Sequence, residues 1–196
     1  MKNLLYLILI LNIACIDKKM PHNQDLKTIS DKIQLYQSSG DEKFLNESYN
    51  LLNDNVEFKQ KGITSNNKEI VYSLLMYMRK YSELENLTRN DANLDSRDKH
   101  LLLNFFKALQ VHKVDSIKAK KIINNNIKLL RERINENPKD SLLLFDYFRM
   151  KIYSEGKENA LKSIDSASVQ KRFTEDFYNF ILKDAVKDYP EEFVWE

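Results

Sequence analysis

The chain has 196 residues, 42% of them apolar, which is about one domain's worth of length and enough apolar material for a core. Charged residues make up 31%, yet the formal net charge is only +2, so both signs are interspersed and no strong field is set up to hold nucleic acid. Three Gly and three Pro leave little material for tight hairpin turns or a phosphate-cradling loop, which argues for helices.

The first fourteen residues, MKNLLYLILILNIA, read as a secretory signal peptide rather than as part of the fold. Lys2 supplies a positive start, Leu4 to Leu11 an apolar core, and Ala14 a small residue directly before Cys15. The run is shorter than the roughly 20 apolar residues a membrane span needs. Its end, Asn12, Ile13, Ala14 and Cys15, resembles the lipobox of bacterial lipoproteins, in which cleavage precedes the Cys and lipid is attached to its thiol. Asn12 stands where that family usually has Leu, and Leu11 lies one place earlier. Cys15 is the one cysteine of the chain, so it has no intramolecular disulfide partner. The resemblance implies a chain anchored through a lipid on Cys15 to a membrane of the bacterial cell envelope, facing the periplasm or the cell surface. Acyl chains would insert at about 0.8 kcal/mol per buried methylene. The alternative is an ordinary signal peptide that happens to end in Cys. Residues 15–24 then form the lipidated Cys and a polar tether with Pro21 and a solvated His22, and residues 25–196 a single α-helical domain.

Apolar residues recur at helical spacing through that domain. Leu26, Ile29, Ile33 and Tyr36 predict a helix ending near Ser39, before Gly40. A second begins at Asp41, with Phe44, Leu45, Tyr49 and Leu52 on one face. Val56 to Asn67 reads as a loop, part of it extended. A third helix is introduced by Asn66 and Glu69 in a capping-box-like spacing and runs to about Lys80, with Ile70, Val71, Leu74, Leu75, Met78 and Tyr81 inward. A short fourth spans Ser82 to Thr88. Ser96 to His112 follows, with Leu101, Leu102, Phe105, Phe106 and Leu109 inward. Asp115 to Asn135 is a long helix whose narrow stripe is Ile123, Ile127, Leu130 and Ile134. Its lysines, Lys118 to Lys121, read first as a solvated face and second as a contact for anionic headgroups. The last helix, about Val169 to Asp188, is expected to bury Phe173, Phe177, Phe180 and Ile181 and to stop at Tyr189-Pro190. After it, Phe193, Val194 and Trp195 either fold back on the helices or form a docking peptide.

Between the last two long helices lies the most informative stretch, Asn137 to Ala167. Pro138 ends the preceding helix, Asp140 caps a new one, and Gly156 turns it into a shorter helix carrying Ala160, Leu161, Ile164 and Ala167. This hairpin resembles a tetratricopeptide repeat, whose period is about 34 residues. Pro138 falls at that family's terminal proline, Ala160 and Ala167 at small packing positions, Ile164 at a bulky one, and Leu144 and Tyr147 inward. Phe148 stands where the family has a small residue, Gly156 comes one residue late, and Lys151 replaces a common aromatic. The resemblance implies an all-α fold of antiparallel helical hairpins stacked as a right-handed superhelix, the alternative being a compact helical bundle.

Catalytic readings find little to stand on. His22, His100 and His112 form no helix-borne pair with Glu, and the last two are separated by about 18 Å of helical rise. No nucleophile elbow or Cys-His arrangement is present, so the expectation is a protein that is not an enzyme, with no catalytic residue, metal or cofactor. The repeat resemblance instead implies a protein or peptide ligand on a concave surface at Leu142, Phe145, Arg149 and Ile152, with Phe145 and Arg149 as anchors. Arg149→Ala is then expected to weaken binding without lowering the Tm. A lipoprotein that neutralises a secreted toxin as an immunity protein is the second reading, and an enzyme or glycan-handling accessory the third.

Overall fold

In the computed structural model every regular element among the described residues is helical, and the fold is all-α. The description covers residues 24–55, 58, 64, 67–165 and 173–189. Residues 1–14, read above as a signal peptide, Cys15, His22, Asn66, Ala167, Val169, Pro190 and the tail residues Phe193, Val194 and Trp195 lie outside it. No described helix is long and apolar enough to cross a membrane. The chain divides into two compact units, with the boundary between Lys99 and His100.

Unit 1 contains α1 (Gln24–Ser39), α2 (Lys43–Asp54), α3 (Lys68–Tyr77), α4 (Tyr81–Asn90) and the start of α5 (Ser96–His112). Gly40, at φ 70°, turns α1 into α2, and its N–H donates to Tyr36 O at 2.7 Å. The two helices pack together through Leu26, Ile29 and Ile33 on one and Leu45 and Leu52 on the other, and both pack on α3. Lys32 of α1 reaches Glu47 of α2 across the same pair. The centre is α3, in which every residue from Val71 to Tyr77 is buried, as expected of a helix covered on all sides.

α3 stops three residues before the expected Lys80. Lys80 N donates to Leu75 O at 2.8 Å and Arg79 N to Met76 O at 2.9 Å, with Arg79 at φ 56°. This is the Schellman closure, built on an arginine where glycine is usual, so no glycine marks the stop. Two buried polar links tie α3 to the end of α4. Tyr72 Oη lies 2.9 Å from Thr88 Oγ1, and Lys68 Nζ pairs with Asp91 Oδ2 at 2.6 Å. Burial pushes the Tyr72 phenol up to about 12.

Unit 2 comprises the remainder of α5, α6 (Ser116–Glu136), α7 (Ser141–Glu155), α8 (Lys157–Ile164) and a final helix, α9. In α9 a π-helical segment, Phe177–Leu182, continues into the α-helical Lys183–Lys187. The expected inward stripes of α5 and α6 are buried, and Asn126 joins them. Asn126, wholly enclosed, donates through Nδ2 to Leu101 O at 2.8 Å and accepts at Oδ1 from Asn104 Nδ2 at 3.1 Å, which ties α6 to α5.

The final helix differs from the expected pattern. Phe180 and Ile181, expected inside, are 66% and 54% exposed, and the buried residues are Tyr178, Leu182, Val186 and Tyr189. Phe173 and Phe177 are half-buried. The buried set keeps helical spacing through the π segment but sits one residue after the expected Phe177 and Ile181; both faces of this helix carry apolar residues, and the period alone does not say which one packs.

Candidate functional site

The hairpin at α7 and α8 forms with the boundaries its punctuation predicts. Asp140 Oδ1 accepts from Leu142 N at 3.0 Å and Leu143 N at 3.4 Å, satisfying two donors that the helix start would otherwise leave free. At the other end Gly156 takes φ 83° and ψ 161°, a conformation that is essentially glycine's alone. α7 packs on α6 before it and on α8 after it, and the Lys183–Lys187 part of α9 packs on both α7 and α8.

These contacts decide where the expected groove positions lie. Leu142 and Phe145 are half-buried, while Arg149 and Ile152 are buried. The side of α7 that carries them is met by the chain's own last helix. Phe145 packs edge-on against Phe177 with centroids 5.7 Å apart, and the Arg149 guanidinium lies 5.9 Å from the centroid of the Tyr189 ring. Tyr189 is held in turn by a 2.6 Å hydrogen bond between its hydroxyl and that of Tyr153. The four positions are therefore brought together on one side of α7, and within unit 2 that side is covered.

Arg149 is the unusual member. It is 5% exposed, and its Nε and Nη1 have no hydrogen-bond partner among the described residues. Burial lowers its pKa, which the nearby Tyr189, Asp146 and Tyr153 only partly oppose. A truncation to Ala at this place removes packed volume as well as charge, so the structure turns the expectation of an unchanged Tm into one of a lowered Tm.

The open side of α7 is the opposite one, where Tyr147, Lys151 and Ser154 are only partly buried. Tyr147 accepts a hydrogen bond from Arg131 Nη2 at 3.2 Å. The Arg131 guanidinium and Lys151 Nζ stand 5.9 and 5.8 Å from the centroid of its ring. Lys151 Nζ also donates to Ser163 Oγ at 2.7 Å and pairs with Glu155 at 3.1 Å, and Ser154 Oγ donates to Asn124 Oδ1 at 2.6 Å. The Tyr147 hydroxyl holds Arg131 in its charged form more firmly than usual. The result is an aromatic ring with two cations beside it, on a surface shared by α6 and α7. Spacing from the repeat resemblance placed Tyr147 inward and did not select this array. Its sequence signal is the i, i+4 pair of Tyr147 and Lys151, which any solvated helix face produces.

His100 and His112 lie at opposite ends of the helical run from 100 to 112, and Asn104 Nδ2 is 3.1 Å from His100 Nε2. Among the described residues no group of three His, Cys, Asp or Glu side chains is arranged to hold a metal ion. No family model matches the chain, and neither a curated protein nor a solved structure matches it.

Proposed function

We propose that this is a lipoprotein of the bacterial cell envelope, anchored through Cys15, whose helical domain is a non-catalytic module for binding or scaffolding another protein. In this reading α7 and α8 are one degenerate tetratricopeptide-like hairpin, and α9 is the helix that stacks on it. Three sequence-adjacent helices that each pack on the previous ones support that arrangement. The observation that carries the binding role is the Arg131, Tyr147 and Lys151 array. Aromatic and Arg side chains dominate the energetics of protein interfaces, and a ring already held by a hydrogen bond and two neighbouring cations loses little conformational freedom when a partner arrives. The ligand face is then the α6 and α7 surface, because α9 covers the side with Phe145 and Arg149.

A photo-crosslinking residue in place of Tyr147, expressed in intact cells, tests this. A discrete adduct is expected at position 147 and not at position 125, which is exposed on α6, and Arg131→Ala should reduce its yield at least about tenfold. Identical adducts at both positions would overturn the assignment. Acyl labelling that disappears with Cys15→Ser tests the anchor separately, and label that persists in the variant would refute it.

A further inference from the structure

The turn from α5 into α6 carries an apolar pair that folding does not use. Val114 is 91% exposed and Ile117 81%, the two most exposed large apolar side chains among the described residues. Four lysines, Lys113, Lys118, Lys120 and Lys121, flank them in the sequence and are all exposed. The one acid in this stretch is Asp115, and its carboxylate is engaged in capping α6, accepting from Lys118 N at 2.8 Å. None of the four lysines forms an ion pair among the described residues.

Helix stability does not explain this choice of residues. The first turn of α6 holds no acidic residue, and lysines follow where the positive end of the helix dipole favours carboxylates. An exposed Val and Ile gain nothing in water either. A surface with both properties, apolar tips and neighbouring cations without an acidic partner among the described residues, is matched by the boundary between headgroups and acyl chains in an anionic bilayer. Nucleic acid matches it less well, because residues 113–121 contain no aromatic ring to stack on a base.

We infer that the α5–α6 turn is a second membrane contact, in which Val114 and Ile117 enter the interface of an anionic bilayer and the four lysines meet headgroup phosphates. This inference rests on the reading that places the chain at a membrane, and it adds a patch that orients unit 2 against the surface. A lipid on Cys15 fixes the chain to the bilayer by one end only, whereas two separate contacts restrict how the domain can turn.

The test uses the full chain with Cys15→Ser, which removes the native thiol, and Val114→Cys carrying an environment-sensitive fluorophore. Vesicles of phosphatidylethanolamine and phosphatidylglycerol should shift the emission to the blue and shield the label from iodide. Vesicles of phosphatidylcholine alone should not. Lys118→Gln, Lys120→Gln and Lys121→Gln together should reduce the partition coefficient at least about tenfold. A label at position 136, at the far end of α6, should remain aqueous. The inference is overturned if the label at 114 stays aqueous while the chain sediments with the anionic vesicles, if both vesicle types give the same shift, or if positions 114 and 136 respond equally. A single-stranded DNA oligomer that produces the same shift and shielding would also overturn it. Because the native thiol is absent throughout, failure here leaves the acyl-labelling test of Cys15 to decide the anchor on its own.

Discussion

Replacing Arg149 with Met should stabilise the protein, contrary to the usual effect of a core substitution. Two buried nitrogen atoms of the guanidinium lack acceptors, and an unsatisfied buried donor costs about 1–3 kcal/mol. Met has a similar length and no polar group, so it recovers that penalty while filling most of the space. Against this stands the loss of the contact with the Tyr189 ring, worth about 0.5–2 kcal/mol. The attraction of Asp146 for the charge is lost as well. The balance favours Met by about 1–2 kcal/mol, in line with the gain often seen when buried charges give way to apolar residues. Urea unfolding followed by far-ultraviolet circular dichroism measures it: the midpoint should rise with the slope unchanged. For a unit of this size the Tm should rise by about 4–8 °C per kcal/mol. Arg149→Ala, which leaves a cavity, should lower the midpoint instead. A fall of more than about 1 kcal/mol for Arg149→Met at constant slope would show that the guanidinium contributes net stability, and the reasoning would fail.

Three further outcomes follow from the packing. Burial alone would raise the pKa of Asp91, but Lys68 and the backbone and side chain of Asn93 outweigh it and hold the carboxyl below its ordinary value. A depressed folded pKa adds stability above the unfolded value, about 3.9, and that stability is lost as pH falls through the lower folded value. Asp91→Asn should therefore flatten the acid limb of a Tm against pH curve below about pH 5, and an unchanged limb would refute the pairing. Asn126→Ala removes the donor to Leu101 O and the acceptor for Asn104. It should cost about 1–3 kcal/mol in chemical denaturation, against no measurable loss if the side chain were merely enclosed. Gly156→Ala meets no atom within 4 Å, so its cost is conformational alone. It should destabilise by about 1–3 kcal/mol, more than Gly40→Ala at about 1–2 kcal/mol, and the reverse order in a thermal melt would contradict the backbone argument.

What could be read in advance follows from how far each signal reaches along the chain. Asp140, Pro138 and Gly156 act on their immediate neighbours, so the boundaries of α7 were legible, as were the stripes of α5 and α6, where one regular period runs unbroken. The end of α3 was not, because Arg79 adopts a left-handed conformation that its side chain does not advertise. Nothing in the sequence marks Asn126 as buried, because its two partners come from α5, more than 20 residues away. Arg149 and Ile152 share one side of α7, but the residues that cover this side belong to α9, and a helix period cannot say what a face will meet. The array around Tyr147 was illegible for the same reason, since Arg131 reaches it from the preceding helix.

The π segment in α9 bears on more than which of its own residues are buried. A helix with one residue more than its turns can hold is a phase shifter: everything after Leu182 is rotated by about 100° relative to an uninterrupted α-helix. Tyr189 lies seven residues downstream of Leu182, and its hydroxyl meets Tyr153 from that rotated position. The clasp at the end of the chain is thus timed by a surplus residue two turns earlier. The length of this segment, more than the identity of its side chains, therefore sets where the tyrosine lands.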